Sequence, residues 1–205
     1  MHRLTVPIAD DEIRALHAGD TVYLNGVIVT GRDAAHKFMK EHFIQVEEVT
    51  AVDEPLYAEL KRLLDGSVIY HCGPVVQKLE DGTWKFVAAG PTTSIREEVY
   101  QADVIKHFNL KGVIGKGGMG KNTLRACQEQ PAVYFHAIGG AASLIAQSVK
   151  QVVTVHKLEF GVPEAMWVIE VEDFPVVVTM DSHGVSIHDT IEAQSKAKLA
   201  ELIGV

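Results

Sequence analysis

Cysteine is scarce: Cys72 and Cys127 are the two in 205 residues. A structural zinc site or an iron–sulfur cluster needs about four ligands, so this chain holds neither unaided, and a disulfide scaffold is excluded. Both read as buried thiols in a reducing compartment. Long apolar runs are missing too; none reaches the roughly 18–20 residues that cross a bilayer. The opening MHRLTVPIADDEIRAL turns acidic and amphipathic too early for a signal peptide, and the final Gly-Val matches no lipidation signal. Positive charge is also in deficit. With 19 basic and 27 acidic residues the net charge is −8, which excludes nucleic acid as the main partner, because phosphate binding needs a basic field. The reading is a cytoplasmic protein with no membrane partner. No internal repeat or low-complexity linker divides it, so one domain over 1–205 is expected, and 47% hydrophobic residues are enough for a substantial core.

What is present reads as mixed α/β. Asp10 is expected to cap a short helix over 11–17, and Asn25-Gly26 between TVYL and VIVT gives a hairpin signal. Helices near 34–42 and 55–64 follow, then strands SVIYH, VVQKLE and TWKFVAA, with a tight turn at Asp81-Gly82. The front half is therefore expected to be β-rich and antiparallel. After a helix over 94–108, strand and helix alternate through GVIG, residues 122–128, AVYFHAI and AASLIAQSV, and the chain continues with strands VVTVH, MWVIEV and PVVVTM.

Glycine loops carry the chemistry. Gly115-Lys116-Gly117-Gly118-Met119-Gly120 satisfies G-x-G-x-x-G between a strand and a helix. A dinucleotide site also wants an acid about 20 residues on, and none occurs from Pro131 to His156. The near-Walker spelling fails as well, because Asn122 replaces the magnesium-binding hydroxyl. What remains is a turn whose N–H groups suit an anion, with Lys116 adding charge. In Gly90-Pro91-Thr92-Thr93-Ser94-Ile95-Arg96-Glu97, Ser94 and Glu97 spell a capping box. Arg96 on the first turn opposes the helix dipole, a placement that is useful beside an anion. In Gly31-Arg32-Asp33-Ala34-Ala35-His36, Arg32 and His36 share a face if the helix starts by Asp33. The ten histidines show no H-E-x-x-H spacing, Asp181-Ser182-His183 with His188 is only a loose set, and there is no G-x-S-x-G elbow. No metal ligand is assigned.

GRDAAH, HCGP at 71–74, GPTTSIR, GKGGMG and DSHG at 181–184, in this order and spacing, resemble the β subunit of class I, iron–sulfur-dependent hydro-lyases. That family includes oxygen-sensitive fumarase and L-tartrate dehydratase, and the resemblance runs from the TVPI start through DSHG. It implies a swivelling β/β/α domain that works with a larger α part, whose three cysteines hold a [4Fe–4S] cluster with one open iron. With no such part preceding it here, the separate-subunit form is expected, assembled as α2β2.

The implied reaction removes water from a C4 hydroxy-dicarboxylate, L-malate to fumarate first, tartrate or a methylated fumarate otherwise. Negative charge growing on a carboxylate next to the reacting carbon must be met by fixed cations and N–H donors, and the departing hydroxyl needs a Lewis acid. By match to the family motifs, Arg32, Arg96 and Lys116 would hold the carboxylates and Thr92 would be the base. A threonine hydroxyl is a weak base, so a neighbouring cation must favour its alkoxide. The alternative for Thr92 is a hydrogen bond to substrate while another group moves the proton. His36 is a further candidate for proton transfer. Asp181 and His183 would support the loops, and the general acid would lie on the α subunit. Cys72, in HCGP, would be either adventitious or a site of oxidation. A reading from another class is a noncatalytic dicarboxylate-binding module.

Overall fold

A computed structural model describes residues 1–204. The strands are β1 (His2–Thr5), β2 (Thr21–Thr30), β3 (Val68–Tyr70), β4 (Val75–Lys78), β5 (Trp84–Ala88), β6 (Gly112–Gly115), β7 (Val133–His136), β8 (Val149–His156) and β9 (Met166–Met180). The helices are α1 (Asp10–Arg14), α2 (Asp33–Met39), α3 (Glu54–Leu64), α4 (Glu98–Phe108), α5 (Lys121–Glu129), α6 (Ala142–Ile145) and α7 (Ile187–Ile203). The expected mixed α/β composition holds. Strand order in the large sheet is β1-β2-β3-β6-β7-β9-β8, and a further β2–β9 pairing closes β2, β3, β6, β7 and β9 into a five-stranded barrel.

Four expectations about the fold are corrected. The front half is parallel: β1 pairs β2, β2 pairs β3 and β3 pairs β6 in parallel, and the antiparallel hairpin within it is β4–β5, turning at Asp81-Gly82. The helices between successive strands supply the crossovers that parallel pairing requires. Asn25-Gly26 is no hairpin turn. It lies inside β2, where the register against β9 shifts between Leu24 and Gly26. Gly26 has φ +103°, and a Cβ there would come 2.7 Å from Val6 Cγ2, so the same residue pair marks a bulge. MWVIEV and PVVVTM are one strand, β9. The α1 cap is also displaced: Ala9 holds that position, and its N–H is taken by the Glu12 carboxylate. The seventeen-residue α7, beyond DSHG, was not expected from the sequence; it buries no side chain and starts at Ser186, whose hydroxyl accepts from the Asp189 N–H.

Period-2 alternation along the strands splits the core in two. Val22, Leu24 and Ile28 of β2, Val68 and Tyr70 of β3, Ile114 of β6, Val133 and Phe135 of β7, and Trp167 and Ile169 of β9 form one buried cluster on the inner face. Val29, Ile69, Val113, Tyr134 and Val168 point the other way and meet α2–α5 through Phe38, Leu60, Val104, Phe108 and Ala126. Since β2, β3, β6 and β7 run in parallel, their carboxyl ends share one rim, with Gly31-Arg32, His71-Cys72, Lys116 and Ala137 immediately beyond it.

Gly112 shows how tightly the barrel is filled. An added Cβ would lie 2.5 Å from Phe135 Cε2 and 2.9 Å from Val68 Cγ1. Gly112→Ala is expected to lower stability by about 1–3 kcal/mol, the cost of overpacking a filled core, measured by urea denaturation.

Candidate active site

The rim is stitched together by main-chain hydrogen bonds. Thr92 N–H donates to the His71 carbonyl (2.7 Å), Lys116 N–H to Thr92 O (3.1 Å) and Ser94 N–H to Lys116 O (3.1 Å). The GPTTSIR and GKGGMG loops therefore run side by side at the ends of β3 and β6. Thr92 Oγ1 also donates to the His71 carbonyl, at 3.0 Å, which turns its proton inward and leaves its lone pairs outward. A hydrogen bond given by the neutral hydroxyl favours the protonated form, so any basicity must come from a nearby cation.

Arg32 follows β2 and packs its guanidinium over Gly73, where a Cβ would come 2.5 Å from Arg32 Nη1. Glycine is required there by close approach. The guanidinium pairs with Glu164 at 3.2 Å, and Glu164 also accepts from Ala34 N–H (3.1 Å) at the start of α2. Arg96 is more than half exposed and pairs with Asp33, the residue after Arg32. Lys116 is half-buried beside Gly139 and forms no ion pair among the described residues. The structure thus brings Thr92, Arg32, Arg96 and Lys116 to one rim. His36 is not with them. It is fully buried beneath the rim, with both ring nitrogens engaged inside the protein.

The helix N-terminus behind GKGGMG is already filled. The Glu98 carboxylate accepts from Gly120 N–H (2.8 Å), Asn122 N–H (3.0 Å), Thr123 N–H (3.3 Å) and Thr123 Oγ1 (2.6 Å). The chain's own acid occupies the position a phosphate would take, so the anion expected at this helix start is Glu98. The capping box at Ser94–Glu97 is likewise absent. Ser94 opens a 3-10 turn, Ser94–Glu97, with its hydroxyl buried against His71 Nδ1 (2.8 Å) and Tyr134 OH (2.8 Å).

Asp181 and His183 brace their own turn against the segment after α1, at the amino end of β2 and away from the rim loops they were expected to support. The Asp181 carboxylate accepts from the N–H groups of His183, Val185 and Ala18, and His183 Nε2 lies 2.9 Å from the Arg14 carbonyl. Cys72 is fully buried, and burial pushes its thiol up to about 12. Cys127 is equally buried in the opposite half of the core and is also pushed up to about 12 by burial. Burial thus keeps both in the unreactive thiol form at neutral pH. Among the described residues no three His, Cys, Asp or Glu side chains converge to hold an ion. These residues do not fit a [4Fe–4S] cluster.

Sequence reasoning passed over Glu98 and Gln101, and read Glu97 only as half of a capping box. A signal existed: Glu97 and Gln101 continue the buried stripe of Val104, Ile105 and Phe108, so polar residues occupy an apolar helical face. Glu97 is buried, one of its carboxyl oxygens has no partner, and it lies 3.9 Å from His71 Nδ1. Burial first, then its hydrogen bond to Asp33 and the charge on Asp33, raise it to about 8. It is therefore protonated in the fold at neutral pH, while the unfolded chain ionises it near 4.5. The folded state then binds the extra proton, and stability falls as pH rises from about 4.5 to about 8. Glu97→Gln should remove that decline. Relative to the parent, the variant is expected to gain Tm between pH 5 and pH 8; an equal difference at both pH values would show that the carboxyl is not protonated.

The family model described as Fumarase C-terminus matches residues 2–191. The chain is 50% identical over 198 residues to a Geobacillus stearothermophilus protein provisionally named fumarate hydratase class I, covering 97% of this chain and 35% of that one. It is 42% identical over 196 residues to a Methanocaldococcus jannaschii protein provisionally named L(+)-tartrate dehydratase subunit beta, covering 95% of this chain and 94% of that one. It is 36% identical over 199 residues to the L(+)-tartrate dehydratase subunit beta of Escherichia coli, covering 97% and 90%. With a match across nearly its whole length, and with both kinds of relative, this chain belongs to the fumarase C-terminal family, in the manner of its β subunits.

Proposed function

We propose that this chain is the substrate-gripping β subunit of a hydro-lyase that reversibly dehydrates a C4 hydroxy-dicarboxylate, L-malate to fumarate. The observation that carries this reading is the convergence of Thr92, Arg32, Arg96 and Lys116 at the carboxyl rim of parallel strands, where α/β folds bind their ligands. A dianion needs several cations. Arg32 and Arg96 each already face an acid, which orients the guanidinium groups and reduces their net field. Lys116 supplies the uncompensated charge. Its main chain is bonded to Thr92, so the two residues are held side by side on the rim.

In this reading Thr92, as the alkoxide favoured by the rim cations, takes the proton from the carbon next to a carboxylate and becomes the neutral hydroxyl. Arg32, Arg96 and Lys116 stabilise the charge that develops there, an effect that is large because the donors are fixed before the reaction. An α partner would bring the [4Fe–4S] cluster, whose chemistry is Lewis-acid assistance to the departing hydroxyl; the relatives named as β subunits support such a partner. The α2β2 assembly, a cytoplasmic location and the swivelling of residues 1–205 as one body belong to the same proposal. The 50% identity to the relative named fumarate hydratase favours fumarate. A tartrate substrate is favoured by one other observation: the relatives spanned almost end to end are those named tartrate dehydratase β subunits.

The test is anaerobic co-expression with the α chain, followed by absorbance at 240 nm with fumarate and L-malate. Turnover lost on exposure to air is expected. Thr92→Ala should cut kcat by about 10²–10⁴-fold, the range for removing a positioned proton acceptor. Arg96→Ala should abolish turnover while leaving the fold nearly intact, since an exposed ion pair contributes at most ~1 kcal/mol. Near-parental kcat/KM in Arg96→Ala would refute the clamp, and turnover of L-tartrate alone would move the substrate to tartrate.

A further inference from the structure

Beneath the rim lies a buried polar chain. His36 Nδ1 is 2.9 Å from the Arg32 carbonyl, and His36 Nε2 is 3.0 Å from the side-chain amide of Gln101 on α4. The same amide lies 2.8 Å from His71 Nε2, whose Nδ1 reaches Ser94 Oγ at 2.8 Å. His36, His71, Ser94 and Gln101 are all fully buried, and the two rings stand edge to face with centroids 5.0 Å apart.

We propose that Gln101 is a positioning residue: its amide NH2 donates one hydrogen to each imidazole, fixes both as Nδ1–H tautomers, and so locks the Arg32 loop to the Thr92 loop. The inference rests on the roles of Arg32 and Thr92 proposed above. A carbonyl can only accept, so His36 must carry its proton on Nδ1 toward Arg32. Burial depresses both imidazoles below their ordinary value, and the second ring adds repulsion at His71, so both are neutral. A neutral His36 then offers a bare lone pair at Nε2, and the group facing it must be a donor. With the amide oxygen in that place, acceptor would face acceptor and the Gln101 nitrogen would have no partner. With the nitrogen there, each of its hydrogens meets one ring.

The consequence for the rim is direct. His36 ties to the backbone of Arg32 through Nδ1, and the His36 N–H also donates to that carbonyl at 2.9 Å. His71 holds the Thr92 loop twice, by its carbonyl on Thr92 and by its ring on Ser94. One amide on α4 therefore sets the spacing between the carboxylate-binding arginine and the proton-accepting threonine. His36, expected to move a proton at the substrate, instead holds one still beneath it.

The decisive measurement is long-range 1H–15N NMR of the full chain at pH 7, which distinguishes the two neutral tautomers from imidazolium. Nδ1–H signatures on both His36 and His71 are expected. Gln101→Glu has at most one hydrogen to donate, so it cannot serve both rings, and at least one ring should leave the neutral Nδ1–H form, as imidazolium or as the Nε2–H tautomer, at the same pH. In the enzyme assembled with its partner, Gln101→Met should lower kcat by at least about tenfold, within the roughly 100-fold that an ångström of misplacement costs, while KM changes much less. An Nε2–H tautomer on either ring or an imidazolium His36 in the parent chain, two neutral Nδ1–H rings in Gln101→Glu, or unchanged kcat in Gln101→Met would each overturn the proposal. The NMR result stands apart from the enzymatic reading: failure of that reading appears as a parent complex without turnover, with the tautomers unaffected.

Discussion

The pairing of β2 with β9 is the interaction on which the rest depends. Without it the large sheet would be an open ribbon with two unpaired edges inside the molecule; with it, β2, β3, β6, β7 and β9 satisfy one another's backbone groups around a filled interior. Closure also fixes where chemistry can occur. β9 runs against the parallel strands, so its first residues, next to Pro163 and Glu164, meet the carboxyl ends of the others. That juxtaposition is what gives Arg32 its acid partner.

Acidic side chains organise this rim although the proposed ligand is itself an anion. Glu164 orients Arg32 and caps α2, Asp33 orients Arg96, and Glu98 fills the N-terminus of α5. Each satisfies a donor that would otherwise wait unpaired on the rim. Among the described residues the arrangement leaves Lys116 as the rim cation without an acid beside it, so selectivity for a dianion can arise from a local field in a protein of net charge −8. Beneath them, Glu97 and the two imidazoles are neutral because burial penalises their charged forms. A buried, uncharged layer thus supports a charged one, and fixed dipoles there act at low effective dielectric.

Much of this was legible from local pattern. The helix periods around α3 and α5, the turn at Asp81-Gly82 and the strand–loop–helix of GVIGKGGMG follow from residue chemistry within a short window. The motifs that carry the family resemblance are loops beside the strand ends, and loops keep their identity because close approach demands it, as Gly73 under Arg32 shows. Asn25-Gly26 misled because positive φ suits a bulge as well as a hairpin turn, and the choice is made by what lies opposite, here β9. Ser94 and Glu97 misled likewise: the capping spelling is local, but both side chains face a buried network rather than a free helix end.

By itself, then, the sequence determined the α/β class, the family and which loops bear polar and cationic groups, since propensity and motif are local properties of the chain. Tertiary structure alone decided strand direction, barrel closure, the burial of His36 and the use of Glu98 as a helix cap. Those outcomes depend on partners far along the chain: β2 meets β9, and His36 reaches His71 through Gln101. A side chain's protonation and role are set by what surrounds it in space, and no spacing within one segment contains that information.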